Sequence, residues 1–76
     1  MDAFQPGGIY RHYKGKQYKA LCIATHTETE EPMAVYQALY GEYGIWTRPL
    51  AMFLEEVTLP DGTIVPRFAL VDNSQQ

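Results

Sequence analysis

The side chains that could do covalent or metal chemistry are few, and their spacing fits no catalytic pattern. His12 and His26 are the two histidines of the chain. A carboxylate from Glu28 or Glu30 could complete a zinc or iron site with them, but the spacing matches no ligand motif. Cys22 and His26 fall on one face of a predicted strand, and no third group is evident that would orient the histidine. We therefore expect a binding protein rather than an enzyme, with no catalytic residue, no metal site and no cofactor.

The segment 36–49 has the composition most typical of a recognition surface. It contains three tyrosines, the only tryptophan and an arginine, on two predicted strands joined by a glycine-bounded turn. Rigid amphipathic rings beside an arginine are enriched in binding hot spots. The segment thus predicts a binding face without identifying the ligand.

Arg48 and Trp46 each admit two interpretations. Arg48 is expected either to bind a ligand's carboxylate or phosphate through its fork of donors, or to form a salt bridge with Glu55 or Glu42. Its guanidinium could also stack on Trp46 or Tyr40. A single large tryptophan in so small a domain is more often a core residue than a surface anchor, which favours a core position for Trp46.

Charge is distributed unevenly along the chain. The net charge of −3 at neutral pH argues against a general nucleic-acid coat, because such binding depends on neutralising phosphates. Four of the six basic residues nevertheless fall within nine positions, and an acidic loop follows at 28–31. The basic group is either a pair of solvated turns or a local lip for an anionic ligand, formed by Arg11, Lys14, Lys16 and Lys19.

The chain of 76 residues has the length of one domain. We expect an ordered core from about residue 8 to residue 70, with polar tails at 1–7 and 71–76 that have little to bury. No apolar stretch approaches the ~20 residues that span a bilayer. The single cysteine suits a reducing compartment. These features predict a cytoplasmic protein without membrane contact, present as a monomer or a weak homodimer.

Strand-favouring residues separated by glycine and proline turns run through the core. They predict an all-β fold, a small SH3-like barrel or roll of five to six short antiparallel strands with at most one short helical turn. Closure into a barrel also removes exposed strand edges. The helical turn is predicted at 50–54, and the strands are predicted at Ile9–Tyr13, Gln17–His26, Met33–Tyr40, Ile45–Arg48, Glu55–Leu59 and Ile64–Leu70.

The second and third strands each have one bulky aliphatic face and one face of small residues and tyrosines. The barrel interior is predicted to consist of the aliphatic faces, which carry Leu21, Ile23, Met33, Val35 and Leu39. The opposite faces form either a shallow groove with tyrosine walls or a surface covered by the terminal segments. Cys22 lies in an apolar run, and we expect its thiol to be buried and slow to react.

Five segments follow one another in order from about Gly8 to Phe68: Tyr10–Gly15, Ala24–Thr29, Val35–Gly41, Trp46–Phe53 and Pro66–Phe68. Together they resemble the bacterial domain-of-unknown-function family 1653. The most specific is a tryptophan-x-arginine-proline block. The resemblance implies a small all-β domain of the SH3-like barrel or roll type and carries over no catalytic or binding residue.

Three functions follow from these observations. The first is a binding module that recognises a peptide or protein partner through the tyrosine face. The second is binding of a nucleic acid or nucleotide, with bases stacked on the rings and phosphates at the basic lip; its affinity must fall steeply with salt. The third is a structural homodimer. The predicted binding residues are Tyr18, His26, Tyr36, Tyr40, Tyr43, Trp46 and Arg48.

Overall fold

The computed structural model describes residues 4–72. These residues form seven strands and one short helix. In chain order the elements are β1 (Ile9–His12), β2 (Gln17–Thr25), β3 (Pro32–Ala38), β4 (Ile45–Pro49), α1 (Leu50–Phe53), β5 (Glu56–Thr58), β6 (Ile64–Pro66) and β7 (Phe68–Asp72).

The strands form two antiparallel sheets, which confirms the predicted all-β fold. Five strands lie in the order β4-β3-β2-β1-β7, and β5 pairs with β6. The single helical turn is also confirmed, because α1 has four residues. The predicted count of five to six strands is too low, and the assignment to the SH3-like class stays a prediction.

The extra strand arises because the predicted strand 64–70 divides at Arg67. Pro66 pairs with Glu56 in the small sheet, whereas Phe68 pairs with His12 in the large one. The backbone of Arg67 joins the two parts, since its N–H donates to the Glu55 carbonyl and its own carbonyl accepts from the Tyr13 N–H. Residue types alone do not distinguish one continuous strand from two strands in different sheets.

The N-terminal segment is held against the sheet, in contrast to the prediction that residues 1–7 have little to bury. Phe4 is buried, and its ring stands edge-on to Phe53 with 5.2 Å between centroids. The Gly7 N–H donates to the Ala20 carbonyl, and the Ala20 N–H donates to the Gly8 carbonyl. The other end of the described chain also continues past residue 70, because β7 reaches Asp72. The rest of the predicted tails, 1–3 and 73–76, lies outside the described residues.

The core is built on the tyrosine and alanine faces, so the predicted aliphatic interior is wrong. Leu21 is only half-buried and Ile23 is 43% exposed. The alanines form a low floor, and aromatic rings from α1, β1, β3, β7 and the N-terminal segment pack together above it. Such rings bury large apolar areas and pack edge-on or offset. The buried side chains are Phe4, Tyr10, Ala20, Ala34, Tyr36, Ala38, Phe53 and Phe68.

A β-bulge in β2 reverses the predicted alternation of its side chains. Ala20 lies opposite Tyr36, but Cys22 lies opposite Val35, so Leu21 is an extra residue in the pairing. Directly opposed residues share a face of the sheet. Cys22 is therefore turned to the face away from the core and is exposed, and the prediction of a buried thiol is wrong.

This placement predicts fast modification of Cys22. We expect the native thiol to react with a thiol reagent at a rate within a few-fold of that in urea-unfolded protein, because no opening of the fold is needed to reach it. The rate is measured by absorbance of the released thiolate, with the unfolded chain as control. Protection by about tenfold or more in the native protein would contradict the placement.

Candidate functional site

Five aromatic side chains form the walls of a cleft of about 380 Å³ beside the core. We call it the aromatic–basic cleft. The Tyr18 ring lies at its centre, edge-on to three of the others with 5.4–5.6 Å between ring centroids. Because β2 and β3 pair, Tyr18 and Tyr36 stand on the same face of the sheet. The aromatic walls are Tyr18, Tyr36, Tyr40, Trp46 and Phe68.

The hairpin turn between β1 and β2 brings three basic or titratable residues to the cleft. His12, Lys14 and Lys16 line it. The turn is closed by the His12 N–H, which donates to the Lys16 carbonyl, and by the Gly15 N–H, which donates to the His12 carbonyl. Gly15 has a φ of +113°, a conformation that favours glycine. The sequence thus folds tightly at this point and places both lysines beside the tyrosines.

Arg48 completes the basic part of the cleft from β4. Its Nε donates to the Tyr36 hydroxyl over 3.1 Å, and its guanidinium carbon lies 5.5 Å from the centre of the Phe68 ring. The predicted salt bridge to Glu55 or Glu42 is not formed. Glu55 instead accepts from Arg67 over 2.9 Å, and this is the one ion pair among residues 4–72. The terminal nitrogens of Arg48 therefore have no carboxylate partner in the described chain.

The lysines are likewise without acidic partners in the described part of the protein. Lys16 Nζ lies 4.5 Å from the centre of the Tyr40 ring, within cation–π range. Lys14 Nζ lies 5.9 Å from the centre of the Tyr13 ring. Of the described residues, no aspartate or glutamate lines the cleft. The cleft is thus a locally cationic site in a protein whose net charge is −3.

The burial of His12 and the nearby positive charges both affect its pKa. Partial burial lowers the pKa of His12, and the charges of Arg48, Arg67 and Lys14 lower it further. Its Nδ1 accepts a hydrogen bond from the Lys14 N–H over 3.1 Å. The neutral ring therefore carries its proton on Nε2, and the histidine adds no positive charge to the cleft at neutral pH.

The pKa of Tyr18 is strongly raised by its position in the cleft. Its hydroxyl oxygen lies 2.9 Å from that of Tyr40, and one of the two donates to the other. Burial raises the pKa of Tyr18 to about 12; the hydrogen bond with Tyr40 and repulsion by the phenolates of Tyr40 and Tyr36 act in the same direction, and Arg48 opposes them. The neutral phenol is therefore the form that the fold stabilises.

We expect Tyr18 to stay protonated above the ordinary value of 10.0 and to lose its proton only near pH 12. Because its pKa is raised on folding, its contribution to stability is complete below pH 10.0 and is lost as the pH rises through about 12. The ¹³Cζ chemical shift of Tyr18 measures the titration. Tyr40→Phe removes the hydroxyl partner and should lower the pKa of Tyr18. Titration of Tyr18 near pH 10.0 in the folded parent protein would contradict this prediction.

Several residues predicted for the site lie outside the cleft. His26 closes its own loop, because its Nδ1 accepts from the N–H groups of Glu28 and Thr29. Tyr43 is exposed at the β3–β4 turn, where its φ is 57°. Two members of the predicted basic lip, Arg11 and Lys19, are exposed and are not cleft residues.

Trp46 lines the cleft but is not the core residue that its size favoured. Its side chain is 57% exposed. It stands opposite Tyr36 across β3 and β4. The core space is already occupied by the phenylalanine and tyrosine rings, so the largest aromatic side chain remains at the surface.

Sequence reasoning did not assign His12 and Phe68 to the site. A signal for His12 existed, since Tyr10 pairs with Tyr18 and a strand's alternate residues share a face. The turn between the predicted strands Ile9–Tyr13 and Gln17–His26 places His12 on that face. Phe68 had no such signal, because it reaches the cleft through the pairing of β7 with β1.

Residues 4–72 contain no group of three or more histidine, cysteine, aspartate or glutamate side chains arranged to hold a metal ion. The same residues include no helix with the length and apolar character needed to cross a membrane.

Comparisons of sequence and of structure with known proteins identify similarity to the same protein family. The family model described as "Protein of unknown function (DUF1653)" matches residues 8–70. The crystal structure of a DUF1653 protein from Bordetella bronchiseptica is similar to this chain, with 42% sequence identity and a TM-score of 0.82. The similarity covers 97% of this chain and 95% of that one. No curated protein matches.

Proposed function

The chain belongs to the DUF1653 family of proteins of unknown function, and we propose that it is a binding module whose aromatic–basic cleft holds an anionic ligand. The observation that carries this proposal is the set of three cationic side chains, Lys14, Lys16 and Arg48, around one aromatic cleft without a carboxylate partner in the described chain.

Electrostatics support an anion as the missing partner. Three like charges around a small cleft repel one another. Burial is the main cause of the lowered pKa of His12, and the charges of Arg48, Arg67 and Lys14 lower it further. An anion in the cleft removes this repulsion and gains charge-assisted hydrogen bonds, which contribute about 1.5–3 kcal/mol each when they are desolvated. The hydrogen bond from Arg48 to Tyr36 uses only Nε. The two terminal nitrogens thus stay available as a bidentate fork.

Because two of the three tyrosines of the cleft are buried or half-buried, the cleft suits an anionic partner better than a purely apolar peptide. A purely apolar peptide would need the tyrosine face, but Tyr36 is buried and Tyr18 half-buried in the core's own ring cluster. A peptide or protein partner would therefore present a carboxylate to the cations. A nucleotide or nucleic acid would present a phosphate. In both cases the ligand is an anion, and in both cases affinity falls with salt.

Self-association is a second candidate function, supported by the exposed edge of the large sheet. β4 is the outermost strand on one side, and its Ile45 is 64% exposed. Unpaired edges are common sites of strand addition. Sedimentation over a range of protein concentrations tests this candidate; the molar mass of the 8.7 kDa monomer at every concentration would rule it out.

The binding proposal is tested by titrating inorganic phosphate and a hexaglutamate peptide into labelled protein and following backbone amide shifts by NMR. We expect shifts around the β1–β2 turn and β4, with affinity that falls as salt rises. Lys16→Gln should weaken binding about two- to fivefold, the range of a single exposed charge pair. Lys19→Gln, which removes the same charge outside the cleft, is the matched control. Equal effects of the two variants, or shifts elsewhere, would reject the site.

A further inference from the structure

The strand that supplies Arg48 also presents an open aromatic ring on the same face. We propose that the anion is the phosphate of a nucleotide whose base stacks on Trp46. This inference rests on the proposed function of the cleft and specifies its ligand: a phosphorylated nucleotide, either free or at the end of a single strand.

The indole of Trp46 is placed as a stacking platform. It makes no ring contact with the other aromatic residues of the described chain, although it lines the cleft together with four of them. A Cβ placed on Gly44 would lie 3.5 Å from the indole Nε1, in ordinary van der Waals contact, so no side chain from Gly44 covers that part of the indole. An exposed ring next to cations is the arrangement with which proteins bind unpaired bases.

The spacing on β4 fits the two parts of a nucleotide. Trp46 lies opposite Tyr36, and Arg48 lies opposite Ala34, so both side chains project to the same face. Alternate residues of a strand are roughly 7 Å apart. The sugar of a nucleotide separates base and phosphate, and β4 likewise separates the ring from the guanidinium. The hydroxyl of Tyr36 fixes Arg48 at the phosphate end.

The number of cations favours phosphate over carboxylate. A single carboxylate is satisfied by one bidentate arginine. A phosphate monoester carries a charge of about −1.5 to −2 at neutral pH and three acceptor oxygens, which makes use of Lys14 and Lys16 as well as Arg48. The cleft therefore supplies more positive charge and more donors than one carboxylate can use.

The size of the cleft limits the ligand to about one nucleotide. Its volume of about 380 Å³ lies at the lower end of the range of roughly 300–1,000 Å³ for small-molecule sites. The net charge of −3 disfavours a long contact with a polyanion. One nucleotide at a time, with its phosphate in the cleft and its base at the rim, is compatible with both facts.

The inference is tested by NMR titration of the full chain with four probes at one ionic strength: adenosine 5′-monophosphate, adenosine, inorganic phosphate and hexaglutamate. We expect the monophosphate to bind at least about tenfold more tightly than either adenosine or phosphate, since it uses both ring and cations. Trp46, the only tryptophan, should also lose fluorescence on binding it. Hexaglutamate should bind more weakly than the monophosphate.

Variants separate the ring from the charges. Trp46→Ala should lower the affinity for the monophosphate about five- to hundredfold, the range of one stacked base, and should leave the affinity for phosphate within about twofold. Trp46→Phe should retain most of the affinity. Ile45→Ala is the matched control, because Ile45 is the exposed neighbour on β4 and projects to the other face.

The outcomes distinguish this inference from the proposed function. Binding of phosphate and hexaglutamate in the cleft, with the monophosphate no tighter than phosphate, would overturn the nucleotide and leave the anion site standing. Failure of every anion to shift cleft residues would overturn both. A 5′-phosphorylated tetranucleotide that binds more tightly than the monophosphate identifies a strand end, and the reverse order identifies the free nucleotide. Equal binding of the same strand with a 5′-hydroxyl would contradict the role of the terminal phosphate.

Discussion

Phe53→Ala is expected to lower the free energy of unfolding by about 3–5 kcal/mol, the range for removal of a buried phenylalanine ring. Phe53 lies in a helix of only four residues, yet it is 1% exposed and its ring contacts other rings of the core. Its ring stacks on Phe68 with 4.1 Å between centroids and an interplanar angle of 3°, and it stands edge-on to Phe4 and Tyr10. A domain of this size has a total stability of about 4–11 kcal/mol. The variant therefore loses at least about a quarter of that total. If the total is near 4 kcal/mol, a loss of about 5 kcal/mol leaves the variant unfolded.

Met52→Ala is the matched control for this prediction. Met52 precedes Phe53 in α1 but is 45% exposed, and alanine is a good helix former, so we expect a change within about 0.5 kcal/mol. Urea unfolding followed by circular dichroism gives both values. A similar midpoint for the two variants would show that the aromatic cluster does not hold the sheets together as its geometry implies.

Arg48→Gln is expected to weaken anion binding about ten- to hundredfold. This corresponds to the loss of about 1.5–3 kcal/mol from a desolvated charge-assisted hydrogen bond. Arg48 is half-buried, with one face of its guanidinium toward Phe68 and Nε held by Tyr36, so its fork is oriented before the ligand arrives. An oriented donor pair loses less entropy on binding than a free lysine. The effect should therefore exceed that of Lys16→Gln.

Two variants test whether the position and the shape of Arg48 matter. Arg11→Gln removes the same charge from an exposed site outside the cleft and should change affinity less than about twofold. Arg48→Lys keeps the charge but not the planar fork, and its affinity should lie between the parent and Arg48→Gln. Titration with inorganic phosphate, with circular dichroism to verify folding, measures both. A folded Arg48→Gln variant that binds as well as Arg11→Gln would refute the role of Arg48.

The sequence by itself indicated the fold class, the turns and seven of the nine described residues that line the cleft, all except His12 and Phe68. Alternating residue types and the turn at Gly15 predict the β1–β2 hairpin, and this hairpin carries Lys14 and Lys16 to the tyrosines. These are local features, set by backbone preferences over a few residues. The shared face of Tyr18 and Tyr36 follows in the same way from strand alternation before the bulge. Arg11 and Lys19 were grouped with the lysines because closeness in sequence does not reveal which face of a strand a residue takes.

Only the tertiary structure decided which face of the sheet is inside. The alanine and tyrosine face becomes the core because Phe53 and Phe68, which lie far along the chain, pack over it. The bulge at Leu21 then turns Cys22 away from the core. A bulge displaces a single residue and has no reliable residue-type signal, and burial depends on what covers a face rather than on the face alone. For the same reason Trp46 remained at the surface, where smaller rings had already filled the interior.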